Sequence, residues 1–282
     1  MLTCLPASRS EQRETVHEGV NKYCVTTSTE GMPLTQRKLC YSPPKSDVNS
    51  INVSPFKNRH AGQSAILACT GPTLQEYVHT ASDQAGKHVF VIGVNGVIFT
   101  ELAQKHGLDY FFLQDTGRAG QVSSGTAFYK RVEEYTNFRP RIQNFYGLFR
   151  TNHIGPSDEE CEAAGALRYE SEYPACNDLV PLVADIGQYT FGGSCSVAMS
   201  ALQFILYAGF TRVKLVGCDV TFAYSSDTRQ VKGQTSVNQP LLRMWKTVPE
   251  FIARYYPHVT IDVVRPVGLK GIDFNITPSF VE

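Results

Sequence analysis

The chain has 282 residues, and its 26 Lys and Arg residues balance its 26 Asp and Glu residues. This length allows one large α/β domain or two small ones. The Lys and Arg residues are scattered and do not form the basic stripe by which proteins hold nucleic acid. No window approaches the ~18 apolar residues of a membrane span, and the N-terminus lacks the apolar stretch of a secretory signal. We therefore expect no nucleic-acid partner and no transmembrane segment.

The eight cysteines include no Cys-x-x-Cys pair, which argues against a zinc ribbon and against a thioredoxin-like site. Cys69, Cys195 and Cys218 lie in apolar stretches, where buried free thiols are usual. Unpaired thiols suit a reducing compartment. The sequence therefore predicts a cytoplasmic protein, and homo-oligomerisation is left open.

Residues 1–60 are polar and rich in Ser, Thr, Asn and Pro, which predicts an N-terminal extension, ordered or flexible. Residues 61–270 alternate short apolar runs with helical stretches. This alternation predicts an α/β fold with a Rossmann-like, doubly wound, mostly parallel sheet. Within this single main domain, residues 116–185 are predicted to form an insertion or lid, and residues 271–282 a C-terminal tail.

The apolar runs predict strands, which read "SAILAC", "HVFVIGVN", "LDYFFLQD", "RVKLVGCDVTF" and "VTIDVVRP", with "RIQNFYGLF" as a further candidate. Helices are predicted from Thr73 to about Gln84 and over "VIFTELAQKHG", "SCSVAMSALQFILYAG" and "QPLLRMWKTVPEFIARYY". The stretch "GPSDEECEAAGALRYESEYP" is expected to carry a helix or turn. Serine before the third helix and glycine after the second and third are typical helix boundaries.

The first predicted strand stops abruptly in "CTGPTLQE". Thr73 and Glu76 have the spacing of a capping box, so a helix is expected to begin there. Gly71 allows a turn that exposes backbone N–H groups, and the start of a helix attracts anions. We interpret this break as a phosphate-facing loop, with an ordinary strand-to-helix turn as the alternative.

Ligands of parallel α/β sheets lie outside the carboxyl ends of the strands. Distinctive small or polar residues occur at predicted strand ends: Thr70 and Gly71, Gly93 and Asn95, and Gly217 and Asp219. Together they predict a crevice for a nucleotide or a sugar nucleotide. The pattern lacks the three spaced glycines of dinucleotide-binding folds, the lysine of a P-loop, and the G-x-S-x-G of α/β-hydrolases.

Three stretches carry a family resemblance. They read "FKNRHAGQSAILACTGPTLQEY", "VIGVNGVIF" and "SCSVAMSALQFILYAGFTRVKLVGCDVTF", and they span residues 56–225 in this order. They resemble the bacterial sialyltransferases of the lipooligosaccharide type, the flagellin-modifying motility accessory factors and the archaeal hydroxymethylpterin pyrophosphokinases. The resemblance implies a Rossmann-like transferase that binds a nucleotide-activated donor, in the sialyltransferase case a CMP-sugar, and a glycan or other hydroxyl acceptor.

The resemblance also implies roles for residues at matching positions. Gly71 and Pro72 would form the donor phosphate loop, together with Thr70, which stands where the family has asparagine. Asn95 would hydrogen-bond the donor nucleotide. Gly217, at the end of the strand "RVKLVG", is a further candidate residue for binding the donor.

For catalysis, the resemblance places Asp219 at the rim of the site and Tyr224 near the leaving phosphate, where its phenol could donate a hydrogen bond. The family's histidine base has no counterpart in "AYSSDTRQVKGQTSVNQP". His153 is the substitute that the sequence offers for a base that must reach the acceptor hydroxyl.

The chain has no D-x-D motif, which transferases of diphosphonucleotide sugars commonly use to hold a metal. We therefore expect a metal-independent CMP-sugar transferase without a cofactor. A second reading is Mg²⁺-dependent diphosphate transfer from ATP, with carboxylates clustered at Asp219, Asp115 and Asp227. A third reading is a non-catalytic nucleotide-binding module.

Overall fold

The computed structural model describes residues 11–18, 21–28, 53–79, 86–114, 143–149, 158–163, 165–171, 182–192, 196–221, 223 and 236–276. The chain divides into two compact units, Met1–Pro44 and Lys45–Glu282. In the first unit, strands β1 (Glu11–Glu18) and β2 (Asn21–Ser28) form an antiparallel hairpin. The remaining elements belong to the second unit.

A seven-stranded sheet forms the centre of the second unit. Its strands are β3 (Ser64–Ala68), β4 (Val89–Val94), β5 (Tyr110–Leu113), β6 (Gln143–Phe149), β7 (Ala166–Ser171), β8 (Arg212–Val216) and β9 (Thr260–Val263). They lie in the order β7-β6-β5-β4-β3-β8-β9, and every neighbouring pair is parallel. The predicted α/β class with a parallel, Rossmann-like sheet is confirmed.

Helices connect these strands. They are α1 (Glu101–His106), α2 (Asp158–Ala163), α3 (Val197–Tyr207), α4 (Gln239–Trp245) and α5 (Val248–Tyr255). Short 3₁₀ helices cover Ser54–Phe56, Pro72–Glu76 and Asn95–Phe99. Crossovers between parallel strands are right-handed. Because the chain runs one way from β3 to β7 and the other way to β8 and β9, α1 and α2 lie on one face and α3 to α5 on the other.

The predicted helix from Thr73 to about Gln84 is wrong over residues 73–79, and residues 80–84 lie outside the described residues. A 3₁₀ helix spans Pro72–Glu76, and Tyr77 after it is extended, with φ −83° and ψ 125°. The capping box is wrong as well, because Gly71 occupies the N-cap position. The side chain of Thr73 donates instead to the distant Asp219, with Oγ1 and Oδ1 2.6 Å apart.

The predicted boundaries of the main domain also change. Val53 and Phe56, placed in the N-terminal extension of residues 1–60, are buried in the core of the second unit. Two strands, β6 and β7, come from the predicted insertion or lid of residues 116–185, so that segment builds part of the sheet. Phe274, in the predicted C-terminal tail, is buried too.

Helix α3 is the apolar centre of its face. All of its residues are buried, and the ring of Phe204 lies 4.9 Å from the ring of Tyr110 and 4.9 Å from that of Phe145, measured between centroids. Such a contiguous aromatic cluster is a major source of hydrophobic stabilisation. Its sequence signal, a serine cap followed by apolar residues at helical spacing and a terminal glycine, predicted this helix correctly.

Hydrogen bonds fix the direction of α3 relative to the sheet. The carbonyl oxygens of Tyr207 and Ala208 accept from the backbone N–H groups of Asn58 and His60, at 3.0 and 2.8 Å. Residues 58–60 precede β3, so the C-terminus of α3 lies at the amino ends of the strands. The N-terminus of α3 therefore faces the carboxyl ends.

Candidate functional site

The sheet reverses its winding between β3 and β8. From β3 the chain adds strands on one side as far as β7, and it then returns to place β8 on the other side of β3. This is a topological switch point, where doubly wound sheets bind their ligands outside the carboxyl ends of the strands. The residues that follow β3, β4, β5 and β8 therefore define the candidate site.

The turns after β3 and β8 are joined at this point. The N–H of Gly71 donates to the carbonyl of Gly217 at 2.8 Å. A Cβ on Gly71 would lie 2.4 Å from Asp219 Oδ2, and Gly217 has φ +66°. Both positions therefore require glycine, the first for close approach and the second for its backbone conformation. The residues that end β3 and β8, which were predicted to face one crevice, are therefore in direct contact.

Asp219 is held inside this junction. Its side chain accepts hydrogen bonds from Thr73 N at 2.8 Å and from Thr73 Oγ1 at 2.6 Å. Only 4% of Asp219 is exposed, and its predicted place at the rim of the site stays a prediction. The carboxylate occupies the start of the Pro72–Glu76 turn, where an anion is favoured. It therefore uses the Thr73 amide that a donor phosphate would need.

Thr70 and Pro72 flank Gly71 in the turn after β3. Thr70 is half-buried and Pro72 is exposed. Both remain accessible at the carboxyl end of β3. Their predicted contact with a donor phosphate stays a prediction.

Asn95 connects the ends of β4 and β5. It adopts a left-handed conformation with φ +46°, which asparagine tolerates better than most residues. Its Oδ1 accepts from the backbone N–H of Gln114 at 3.0 Å, and the residue is half-buried. The structure thus brings Asn95 to the same edge as Thr70, one strand further along the sheet.

Gln114 is a site residue that the sequence analysis missed. It follows β5 directly, is 7% exposed, and donates from Nε2 to the hydroxyl of Ser171 at the end of β7. Among the residues that the structure describes, none donates to Gln114 Oε1. The signal was present in "LDYFFLQD", because the criterion that selected Thr70 and Asn95, a polar residue ending a buried strand, also selects this glutamine.

Gln203 anchors another segment beside this edge. Its Oε1 accepts from the backbone N–H groups of Val183 and Gly192, at 2.7 and 3.1 Å, and its Nε2 donates to the carbonyl of Gly192 at 2.8 Å. Gln203 is 1% exposed. The segment 182–192 is therefore fixed to α3, whose N-terminus is capped by Ser196, with Ala198 N and Ser196 Oγ 3.2 Å apart.

Two thiols lie next to the junction, one after β3 and one after β8. Cys69 and Cys218 are free and buried, with their sulfur atoms 3.1 Å apart. Burial raises the pKa of the Cys218 thiol, and the neighbouring thiol of Cys69 acts in the same direction. The predicted buried free thiols are confirmed at both positions, whereas Cys195 lies outside the described residues.

Tyr224 and His153, the predicted catalytic residues, lie outside the described residues, as do Asp115 and Asp227. Their proposed roles therefore rest on the sequence alone. Within the described ranges, no group of three or more His, Cys, Asp or Glu side chains is arranged to hold a metal ion. None of the described helices has both the length and the apolar character needed to cross a bilayer.

These features define a Rossmann-like α/β protein with a polar edge at its topological switch point. Comparison with protein-family models finds no match, and no curated protein matches the sequence. Among solved structures, the chain is similar to a protein described as MAf glycosyltransferase from Magnetospirillum magneticum AMB-1, with 14% identity and a TM-score of 0.45. The alignment covers 77% of this chain and 36% of that protein.

Proposed function

We propose that this chain is a glycosyltransferase that moves a sugar, sialic-acid-like or related, from a CMP-activated donor to an acceptor hydroxyl without a metal ion. The observation that carries the proposal is the polar edge formed by Thr70, Asn95 and Gln114, which follow the adjacent strands β3, β4 and β5. Their hydroxyl and amide groups are uncharged hydrogen-bonding partners, which suit a nucleoside or a sugar. The sequence resemblance described above supports the reaction class.

In this proposal, Asn95 contacts the donor nucleotide through its amide nitrogen, since its Oδ1 accepts from the backbone of Gln114. The phosphate lies toward the N-terminus of α3, which faces the same edge and carries a partial positive charge. Asp219 is a positioning residue, because both of its described side-chain bonds go to Thr73. It keeps the ends of β3 and β8 together.

The proposed chemistry is a displacement at the anomeric carbon. The acceptor oxygen forms a bond to this carbon while the bond to the CMP phosphate breaks, and CMP leaves with the electron pair. A general base takes the acceptor proton, for which His153 is the candidate. The phenol of Tyr224 would donate a hydrogen bond to the departing phosphate.

A thermal-shift panel tests the donor class. CMP, CDP, UDP, GDP and ATP are each added with and without Mg²⁺, because a ligand that binds the folded state raises the melting temperature. We expect CMP to stabilise the protein without metal, and CMP-sugars then to serve as donors in an assay that detects released CMP. Stabilisation by ATP alone, and only with Mg²⁺, would contradict the proposal and favour diphosphate transfer.

A further inference from the structure

Gln114 is fixed at the carboxyl end of β5 by bonds from both its backbone and its side chain. Its N–H donates to Asn95 Oδ1 at 3.0 Å, and its Nε2 donates to Ser171 Oγ. Gln114 is 7% exposed, and Ser171 is fully buried. A side chain held in this way has little rotamer freedom left to lose when a ligand binds, so it is pre-organised.

The fold makes room for this side chain at Gly147. A Cβ on Gly147 would lie 2.9 Å from Gln114 Cγ and 2.8 Å from the ring of Tyr169. Both are closer than a methyl group can approach without movement of the neighbours. A glycine in the middle of β6 costs strand stability, and the close approach of these two side chains explains its presence.

The oxygen of the same amide has no hydrogen-bond partner among the described residues. In the described part of the chain, nothing donates to Gln114 Oε1, although the atom is buried. A buried carbonyl oxygen without a hydrogen bond costs free energy, and such groups in native proteins usually meet a partner. The packing therefore positions an acceptor at the edge of the sheet and leaves its lone pairs for a molecule from outside.

We propose that Gln114 is a specificity-determining residue whose Oε1 accepts a hydrogen bond from an uncharged donor group of the substrate, an inference that rests on the glycosyltransferase function proposed above. The shared chemistry is an N–H or O–H group, supplied either by the exocyclic amine of cytosine or by a hydroxyl of the transferred sugar. The donor phosphate cannot take this place, because its oxygens are acceptors and would face the amide oxygen.

Nucleotide selectivity tests this assignment. CMP, UMP and a CMP-sugar are titrated calorimetrically into the full chain and into Gln114→Met, which keeps the length of the side chain and removes its polar atoms. Gln104→Met is the matched control, since Gln104 is an exposed glutamine on α1. UMP has a carbonyl where CMP has the amine, so it separates recognition of the base from recognition of the sugar.

Two results would support the assignment. If the amine of cytosine is the partner, Gln114→Met weakens CMP binding about tenfold and removes the preference for CMP over UMP. If a sugar hydroxyl is the partner, CMP binding stays unchanged and binding of the CMP-sugar weakens about tenfold. In either case Gln104→Met binds as the wild type does.

Two other results would overturn it, and they are distinguishable. Equal affinities of wild type and Gln114→Met for all three ligands overturn the role of Gln114 and leave the proposed function standing. Failure of the wild type to bind any of the ligands overturns the proposed function and this inference together.

The variant Gln114→Glu keeps the test valid if Gln114→Met does not fold. Its side chain keeps the length of glutamine, and its carboxylate oxygens accept from the same N–H or O–H group, so the preference that the wild type shows should be kept. Loss of that preference in a folded Gln114→Glu protein would count against the assignment.

Discussion

Thr73 donates two hydrogen bonds to the carboxylate of Asp219, from its backbone nitrogen at 2.8 Å and from its hydroxyl at 2.6 Å. The two residues are 146 positions apart in the sequence, and their contact closes the turn after β3 against the turn after β8. The backbone of Asp219 takes part as well, because its carbonyl accepts from Gly268 N at 3.0 Å. Three separate segments therefore converge on this one buried residue.

Replacing Asp219 should destabilise the protein before it affects any chemistry. We expect Asp219→Ala to lower the free energy of unfolding by about 2–3 kcal/mol, because it removes charge-assisted hydrogen bonds and leaves the Thr73 donors unsatisfied. Thr73→Val, which removes only the hydroxyl, should cost about 1 kcal/mol. Urea denaturation followed by circular dichroism measures both.

The matched variant Thr73→Ser keeps the hydroxyl and should retain most of the stability. An Asp219→Ala protein with unchanged stability and no transferase activity would contradict the positioning role. It would return Asp219 to the catalytic role that the sequence resemblance implied.

Gly71 provides a second test of the same junction. A methyl group at this position would lie 2.4 Å from Asp219 Oδ2 and 2.5 Å from the carbonyl oxygen of Gly217. Since neither atom belongs to a flexible side-chain end, we expect Gly71→Ala to destabilise the protein by roughly 1–3 kcal/mol.

Gly62→Ala is the control for this measurement, because Gly62 has φ +76° and nothing within 4 Å of its added Cβ. It reports backbone strain without a clash and should cost about 1 kcal/mol. Gly71 has φ −67°, so Gly71→Ala carries no such strain, and a Gly71→Ala protein as stable as the wild type would show that the predicted clash is relieved by movement of the turn.

The strand ends were predictable from the sequence, whereas their contacts were not. Buried parallel strands give continuous apolar runs, and the residues that end them, such as Thr70 and Asn95, are visible as breaks in these runs. The pairing of Thr73 with Asp219 depends on how β3 and β8 come together. Local pattern therefore assigned Thr73 to a capping box, the nearest partner in sequence, and a distant carboxylate took its place.

The sequence pattern also predicts fewer strands than the sheet contains, because it does not identify β7. The sequence "ALRYES" of β7 mixes charged and apolar residues, as expected of an edge strand, and it was read as part of an exposed insertion. Gln114 ends the buried strand β5 as Thr70 and Asn95 end theirs, but no motif of the family resemblance covers its position. Its importance becomes visible only when Ser171 of β7 is placed beside it.

The stability of the protein should fall as the pH is lowered below the ordinary pKa of histidine. Burial lowers the pKa of His60, which lies between Gln63, at 2.7 Å from Nδ1, and the hydroxyl of Tyr110, at 2.6 Å from Nε2. Burial also lowers the pKa of His79, and the nearby His106 acts in the same direction. The unfolded chain therefore binds more protons than the folded protein in this range.

The direction of the change in stability with pH follows from this difference in proton binding between the folded and unfolded states. A lowered pKa contributes stability above the unfolded value of 6.5, and that contribution is lost as the pH falls toward the folded value. We expect the free energy of unfolding to decrease between pH 7 and pH 5, as measured by urea denaturation. His60→Phe, which retains a ring to stack on Phe210, should make this dependence shallower.

His258→Phe serves as the control, since His258 is exposed. The comparison separates the loss of a buried imidazole from the loss of an exposed one. An identical slope in His60→Phe and the wild type would show that His60 does not contribute to the acid sensitivity, and His79 would then be the group to replace.

Asn95 allows its structural role to be separated from its proposed contact with the nucleotide. Asn95→Asp retains an oxygen to accept from Gln114 N, and aspartate, like asparagine, is enriched in the left-handed conformation. It loses the amide N–H donors. We therefore expect its stability to lie within about 0.5 kcal/mol of the wild type, while its affinity for CMP falls about tenfold or more, because a donor is lost and a negative charge is placed near a phosphate.

Asn95→Gly gives the complementary result. It preserves the left-handed backbone, removes the bond to Gln114 and should lower the free energy of unfolding by roughly 1 kcal/mol. Urea denaturation measures the free energy of unfolding, and calorimetric titration measures the affinity for CMP, on the same samples. If Asn95→Asp binds CMP as tightly as the wild type does, Asn95 acts only as a connector between β4 and β5, and the nucleotide contact must come from another residue at this edge.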